Sequence, residues 1–154
     1  MPLTLESSAF EAGATIPKRY TCDGENTSPP MTWAGVPTGT KSLLLVCIDP
    51  DAPGGTFHHW AAYNIPPDWS GVALGFGAEL QHGECQQAVN DFRRTGYGGP
   101  CPPKGDKPHG YRFRLSALSE RIAAPGRSPS CREIIRSAKA HEIATAELIG
   151  YYGR

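Results

Sequence analysis

The sequence predicts a mainly β fold, a β-sandwich with a single peripheral helix towards the C-terminal end. Strand-like segments occur at short spacing, and 18 glycines and 15 prolines supply many turns between them. Only one late segment carries the start signals of a helix, which favours packed sheets over a helical architecture. With 154 residues, the chain is long enough for one domain, spanning 1–154, with a substantial core.

The predicted strands differ in their hydrophobic pattern. The run Leu43–Ile48 is the most apolar part of the sequence and predicts a strand over 41–49 that is buried on both faces. Over 109–117, apolar residues alternate with polar ones, and the first and third residues share the apolar face. The segment 141–152 is partly apolar on both faces, and we favour a strand that joins the sheet. The predicted strands are 31–33, 41–49, 58–65, 109–117 and 141–152.

One segment has the signals of a helix start. Ser130 is the predicted N-cap, and Glu133 stands three residues later, where it completes a capping box. The helix is expected to run to about Ala140 with one buried apolar face. By contrast, 10–40 and 67–108 are rich in turn residues and are predicted to hold few regular elements.

The charge balance excludes some classes of partner. Lys and Arg together number 15, as do Asp and Glu, so the formal net charge is zero. A nucleic-acid binder usually carries a basic excess, and anionic membranes attract basic surfaces, so neither partner is expected. The longest apolar run is far too short to span a bilayer, so membrane insertion is not expected either. Because the first residues lack a basic region followed by an apolar one, we expect a cytoplasmic protein.

The cysteines suggest no metal or redox motif. Their number is odd and no CxxC pair exists, so zinc-ribbon and thioredoxin-like sites have no support. Cys47 lies within the apolar run and is predicted to be a buried core thiol. Free thiols would fit a reducing compartment. The five cysteines are Cys22, Cys47, Cys85, Cys101 and Cys131.

Two carboxylates follow the buried strand directly. Asp49 and Asp51 stand two positions apart, so in an extended segment both side chains point to the same side. Buried carboxylates are costly unless they have partners, and the prolines at 50 and 53 restrict the backbone that carries them. Turn chemistry alone also explains an Asp-Pro pair after a strand. We favour a polar site, with Ala52–Pro53 as a candidate cis bond in its turn.

Histidines on two further strands are predicted to lie near these carboxylates. His58 and His59 are adjacent, so their side chains face opposite sides of the strand, and His109 begins another strand. A carboxylate beside a histidine raises the pKa of the imidazole and holds its tautomer. Tyr111 offers a hydroxyl donor, and exposed amides in 98–100 could form an anion-binding nest. Together these groups suit a compact anion such as phosphate or a carboxylate.

These residues resemble the phosphatidylethanolamine-binding protein family, and in particular its bacterial branch of Raf-kinase-inhibitor-like proteins. The resemblance covers nearly the whole chain as an ordered set of motifs. They are IP at 16–17, YTCDG at 20–24, SPP at 28–30, Trp33, DPDAP at 49–53, HW at 59–60, YNIP at 63–66, NDF at 90–92, YGGPCPP at 97–103, PH at 108–109, Tyr111 and AELIG at 146–150.

The resemblance implies a large antiparallel sheet packed on a second sheet, and a small anion pocket near the surface. The residues that it places around the pocket are Asp49, Pro53, His59, Gly99, Pro100, His109 and Tyr111. Asp51 and Pro103 would shape the pocket, and His58 would face away. The family usually has Arg where this chain has Gly110, and Arg93 or Arg94 could replace the lost charge.

The function expected from this set is that of a soluble binding protein without a cofactor or a bound metal. Its ligand would be a phosphorylated head group, a small molecule or a phosphorylated partner, and modulation of a kinase or protease is what the family name suggests. An alternative is a metal-dependent or acid–base hydrolase that uses His59, His109 and Asp49. A third possibility is an interaction scaffold whose pocket has no role. The resemblance also makes a homodimer plausible.

Overall fold

The computed structural model describes residues 1–79, 81–123 and 126–154, and within them the chain forms nine strands and one α-helix. No helix in this part of the chain is both long and apolar enough to cross a membrane. Three short 3-10 turns cover Lys18–Tyr20, Phe76–Ala78 and Lys139–His141. The strands and the helix are β1 (Thr4–Glu6), β2 (Met31–Ala34), β3 (Ser42–Asp49), β4 (Phe57–Ile65), β5 (Gly71–Val72), β6 (Gln81–His82), β7 (Cys85–Gln87), β8 (His109–Leu118), α1 (Cys131–Ala138) and β9 (Glu142–Tyr152).

The strands form two antiparallel sheets, which confirms the predicted mainly β fold with a helix near the C-terminal end. The smaller sheet has the order β1-β2-β5, and the larger has the order β6-β7-β4-β3-β8-β9. One apolar cluster joins the two sheets, and a second joins the large sheet to α1. The central strand β3 contributes to both clusters, with Leu43, Leu45 and Cys47 on one side and Leu44 and Val46 on the other. Burial on both faces explains its unbroken apolar run.

The predicted elements correspond closely to the observed ones. The five predicted strands are β2, β3, β4, β8 and β9. The capping box is present, because Ser130 Oγ accepts a hydrogen bond from the Glu133 amide at 3.1 Å and Glu133 Oε1 accepts one from the Ser130 amide at 3.0 Å. The helix ends at Ala138, short of the predicted Ala140, and a 3-10 turn follows it. The segment 67–108 holds the short strands β5, β6 and β7.

Two local predictions were wrong. Cys22 and Cys101, which are 79 positions apart in the sequence, form a disulfide with their Cα atoms 5.4 Å apart. Because only the fold brings the two cysteines together, their spacing in the sequence did not predict the disulfide. The other three cysteines are free and buried. The described residues contain no cis peptide bond, so the Ala52–Pro53 bond is trans.

The register of the large sheet brings the ends of three strands together. In the β3–β4 pair, Asp49 lies opposite Phe57, and in the β3–β8 pair, Ile48 lies opposite Arg112. The end of β3 is therefore flanked by the start of β4 and the start of β8. This arrangement gathers the carboxylate and histidine positions on one edge of the sheet.

Candidate ligand-binding site

A small cavity lies where the end of β3 meets the first residues of β4 and β8. Its volume is about 120 Å³, the share of roughly four water molecules at about 30 Å³ each. Pockets for drug-sized ligands measure about 300–1,000 Å³, so this cavity suits a much smaller group. The residues that line it are Asp49, Ala52, Pro53, Phe57, His59, Phe92, Cys101, Pro102, Pro103, His109 and Tyr111.

His109 is held between two carboxylates. Its Nδ1 lies 2.7 Å from Asp49 Oδ2, and its Nε2 lies 3.1 Å from Asp106 Oδ2. Ionised carboxylates only accept hydrogen bonds, so the imidazolium form, with a proton on each ring nitrogen, is the one that satisfies both contacts. Burial opposes this charge, but the hydrogen bonds with Asp49 and Asp106 outweigh it and raise the pKa of His109. Protonated His109 therefore places a positive charge in the cavity beside a buried carboxylate.

His59 has the opposite protonation preference. Its Nδ1 lies 2.7 Å from the carbonyl oxygen of Gly98, so this nitrogen carries the proton and donates it. Burial lowers the pKa of His59, which keeps the ring neutral near pH 7 and leaves Nε2 as an acceptor. The rings of Phe57, Phe92 and Tyr111 surround the imidazole, with ring centroids 4.8, 5.4 and 5.3 Å away. These aromatic rings restrict its orientation.

Tyr111 presents an unpartnered hydroxyl. The side chain is fully buried, and its Oη has no hydrogen-bond partner among the described residues. Burial raises the pKa of Tyr111, so the hydroxyl keeps its proton at neutral pH. Leaving a buried donor unpaired costs about 1–3 kcal/mol. An acceptor within hydrogen-bond distance of this hydroxyl would satisfy the donor.

Asp51 shapes the turn beside the cavity but does not line it. Its amide donates to Asp49 Oδ1 at 2.8 Å, and its own Oδ2 accepts from the Gly110 amide at 2.9 Å. These bonds orient the Asp49 carboxylate. A Cβ at position 110 would lie 3.1 Å from Tyr151 Cε1 and 3.6 Å from Asp51 Oδ2. Position 110 therefore faces away from the cavity, as strand alternation predicts.

The predicted amide nest at 98–100 is contradicted. The Gly98 amide donates to the His59 carbonyl oxygen at 3.0 Å, and the Gly99 amide donates to Asn26 Oδ1 at 2.8 Å. Both donors are therefore already used within the protein. The Pro100 carbonyl oxygen accepts from the Cys22 amide at 3.1 Å. Neither Gly99 nor Pro100 lines the cavity among the residues that the structure describes.

A neighbouring cavity of about 300 Å³ contains Gly99 and Arg94, and Phe92 borders both cavities. Arg94 thus lies beside the site and does not replace a charge within it. Arg93 is exposed, with a left-handed φ of 67°. The positions of Arg93 and Arg94 therefore do not support the expectation that either one replaces the charge lost at Gly110.

The structure places most of the other predicted site residues around the first cavity, namely Asp49, Pro53, His59, Pro103, His109 and Tyr111. His58 faces away, and its Nδ1 lies 3.0 Å from Asp91 Oδ2. Sequence reasoning missed Phe57, Phe92 and Asp106 as members of the site. Phe92 belongs to the NDF motif, whereas an isolated aspartate in a loop such as Asp106 carries no distinguishing signal.

The metal-dependent form of the hydrolase alternative gains no support from the geometry. Both ring nitrogens of His109 face carboxylates, so neither is free to bind a metal. Across the described ranges, no group of three or more His, Cys, Asp or Glu side chains is arranged to hold a metal ion.

Comparisons with known proteins agree on one family. A family model described as phosphatidylethanolamine-binding protein matches residues 6–153. A UPF0098 protein of Methanothermobacter thermautotrophicus is 44% identical over 155 residues, which cover 99% of each chain. The crystal structure of Escherichia coli YbcL, described as a member of the mammalian PEBP family, superposes with a TM-score of 0.94 at 35% identity, covering 100% of this chain and 99% of that one. A PEBP homologue from Chlamydia trachomatis superposes with a TM-score of 0.86 at 35% identity, covering 99% and 98%. The chain belongs to the phosphatidylethanolamine-binding protein family.

Proposed function

We propose that the protein binds one small phosphate-type group in the cavity beside His59, His109 and Tyr111. The observation that carries this proposal is the buried Tyr111 hydroxyl, which has no partner among the described residues and belongs to a side chain that lines the cavity. A phosphate oxygen is a strong acceptor and would pair with it. The cavity volume of about 120 Å³ limits the bound part to a head group or a similarly small anion.

The distribution of donors and acceptors favours a singly charged anion. Tyr111 donates, the neutral His59 accepts at Nε2, and the His109 imidazolium supplies positive charge beside the Asp49 carboxylate. A monoanion that keeps one P–OH can donate to His59 and accept from Tyr111 at once. We further propose that a phosphate oxygen replaces the surface carboxylate of Asp106 at His109 Nε2.

This arrangement links binding to protons. The dianion of a phosphomonoester has no hydrogen to give His59, so it must gain a proton or His59 must become protonated, whereas the dianion of inorganic phosphate keeps one P–OH. Affinity for phosphomonoesters should therefore be higher at pH 6 than at pH 8, with a weaker dependence for inorganic phosphate. The same pocket can take a free small molecule, a lipid head group or a phosphorylated partner, and only the last source would link the protein to modulation of a kinase or protease.

The test is a thermal-shift titration with inorganic phosphate, phosphoethanolamine and a phosphoserine peptide at pH 6 and pH 8. A ligand that binds only the native state stabilises it by about 2.7 kcal/mol at a concentration of 100 times Kd. We expect stabilisation of the wild type and of His58→Ala, whose side chain faces away, and a loss in His59→Ala and Tyr111→Phe. The three ligands distinguish the source of the phosphate group.

Equal stabilisation of all four proteins would contradict the proposed site. Stabilisation by zinc alone, reversed by EDTA, would instead support a metal site. If no ligand shifts the melting temperature, the cavity is not the main binding surface, and the scaffold hypothesis would be tested by partner capture with the same variants.

The cytoplasmic location and the homodimer stay predictions. The Cys22–Cys101 disulfide argues against the first, because disulfides persist mainly in oxidising compartments. Sedimentation of the purified protein tests the second.

A further inference from the structure

A third and larger cavity lies at the seam between the two sheets. Its volume is about 680 Å³, and it opens between β1 and β9. Among the described residues, none lines both this cavity and the cavity beside His109. The residues that line the larger one are Leu3, Thr4, Leu5, Glu6, Ser7, Phe10, Glu11, Ala12, Ala146, Glu147 and Leu148. We call this cavity the β1–β9 groove.

The floor of the β1–β9 groove is apolar and belongs to the main core. Leu3, Leu5, Phe10 and Leu148 are at most 8% exposed and are members of the cluster that joins the two sheets. Phe10 packs on Phe113 with ring centroids 5.7 Å apart, so the floor rests on the centre of β8. A floor anchored in this way is preformed, which lowers the cost of binding.

The strand β9 borders the groove with a free edge. It is the last strand of its sheet, and the chain's own segment 13–16 pairs with its C-terminal part. The Gly13 amide donates to the Ile149 carbonyl at 2.8 Å, and the Tyr151 amide donates to the Ala14 carbonyl at 2.9 Å. Backbone groups alternate in direction along a strand, so those of Thr145 and Glu147 point to the same side. The described residues provide no backbone partner for these groups.

The strand β1 borders the same groove and also has a free edge. It is the outer strand of the small sheet. Leu5 lies opposite Trp33, and the Trp33 amide donates in the other direction, to the Ser70 carbonyl at 2.9 Å. The pair Leu5–Trp33 is therefore not hydrogen bonded, and the amide and carbonyl of Leu5 point away from β2. The outward backbone groups of both walls thus have no hydrogen-bonded strand partner among the described residues.

The rim of the groove is acidic. Glu6, Glu11 and Glu147 line it, and the described lining residues include neither Lys nor Arg. Glu147 has a described counter-charge in Arg112, whose Nη1 lies 3.5 Å from Glu147 Oε1 in an exposed pair of little energetic value. An acidic rim above an apolar floor attracts a ligand that is basic on one face and apolar on the other.

These features together select one kind of occupant. The geometry points to an extended peptide that adds as a strand to the free edge of β9, with apolar side chains on the floor and Lys or Arg side chains at the rim. In a strand, successive side chains face opposite sides, so alternating basic and apolar residues satisfy both surfaces at once. Main-chain hydrogen bonds would be made with Thr145 and Glu147. The peptide would pair with the same edge of β9 that segment 13–16 pairs with further along the strand.

The test measures binding of a fluorescein-labelled octapeptide of alternating lysine and valine by fluorescence anisotropy. We expect wild-type protein to bind it, and Thr145→Pro to lose binding because proline removes the outward amide. Proline is tolerated at a sheet edge, and Thr145→Val is the matched control that keeps the amide. The triple variant Glu6→Gln, Glu11→Gln, Glu147→Gln should bind about tenfold more weakly, as expected when three exposed charge pairs are lost.

Two further arms identify the binding mode. An octapeptide with glutamate in place of lysine should not bind, and an N-methylated lysine–valine peptide, which cannot pair as a strand, should bind far more weakly. Inorganic phosphate at saturation should leave the affinity unchanged, because the β1–β9 groove is separate from the phosphate cavity. If phosphate does not bind in the thermal-shift titration, the result of the peptide-binding experiment is therefore unaffected.

Several outcomes would overturn the proposal. They are equal affinity for the lysine and glutamate peptides, an unchanged affinity in Thr145→Pro with melting temperature retained, and no binding at millimolar peptide. A concentration-dependent dimer that Thr145→Pro dissociates, without peptide binding, would assign the groove to a second copy of the chain and would also overturn it.

Discussion

Asp49 and His109 connect the last residue of β3 to the first residue of β8 through a hydrogen bond of 2.7 Å. The two residues are 60 positions apart in the sequence, and both side chains are almost completely buried. The turn amide of Asp51 and the loop carboxylate of Asp106 complete the arrangement. One buried ion pair thus links two strand ends and the loops that carry Asp51 and Asp106.

The buried pair should be sensitive to loss of the Asp49 charge. Asp49→Asn leaves the His109 imidazolium without its buried counter-charge, and removal of one partner of a buried pair typically costs about 3 kcal/mol. Asp106→Asn is the matched control, because Asp106 is a surface partner and its loss should cost less than about 1 kcal/mol. Urea unfolding monitored by tryptophan fluorescence measures both. Equal costs would show that burial does not distinguish the two carboxylates.

The stability of the protein should depend on the protonation of His109. The pKa of His109 is raised in the folded state, where burial opposes the charge but the hydrogen bonds to Asp49 and Asp106 prevail. The stabilisation is therefore complete below the unfolded pKa of about 6.5 and is lost as pH rises through the folded pKa. The difference in unfolding free energy between wild type and His109→Gln should be larger at pH 6 than at pH 9.

An NMR titration of the histidine ring protons provides a site-specific check. His109 should titrate above about 6.5 and His59 below it, because burial lowers the pKa of His59. The reverse order would contradict the assigned charge states.

Tyr111→Phe should separate stability from binding. The substitution removes only a hydroxyl that is buried without a partner among the described residues. We expect the unliganded variant to be about 1 kcal/mol more stable than wild type, because an unsatisfied buried donor is removed. Phosphate affinity should fall about tenfold, the value of one hydrogen bond to a charged acceptor. Calorimetry with inorganic phosphate and urea unfolding measure the two effects, and a variant with wild-type affinity would show that the hydroxyl does not contact the ligand.

The disulfide between Cys22 and Cys101 should contribute to both stability and the cavity. It closes a loop of 79 positions, and such cross-links typically contribute about 2–4 kcal/mol. Because Cys101 lines the cavity, Cys22→Ser with Cys101→Ser should also weaken phosphate binding. A thiol assay on denatured protein should count three reactive thiols before reduction and all five after it. Five before reduction would show that the disulfide does not form.

Much of the fold could be predicted because its signals are local. The apolar run of β3, the alternation of β8 and the capping box of α1 depend on neighbours within a few positions, and each element appears close to its expected place. The short strands β1, β5, β6 and β7 were not predicted as separate elements, since two or three residues are too few to show a period. The candidate site was predicted largely from a family resemblance, and its chemistry only in part.

What the sequence determined by itself was the mainly β fold, the end of β3 as the place for polar residues, and the division of His58 and His59 between two faces. Each follows from the two-residue period of a strand or from local capping. The tertiary structure alone decided which partners those residues meet. It pairs Cys22 with Cys101, directs the amides of Gly98 and Gly99 to protein acceptors, and sets His109 between two carboxylates. Such contacts join residues that are distant in the chain. Hydrogen bonding and burial depend on distances in space, which the order of residues in the sequence does not determine locally.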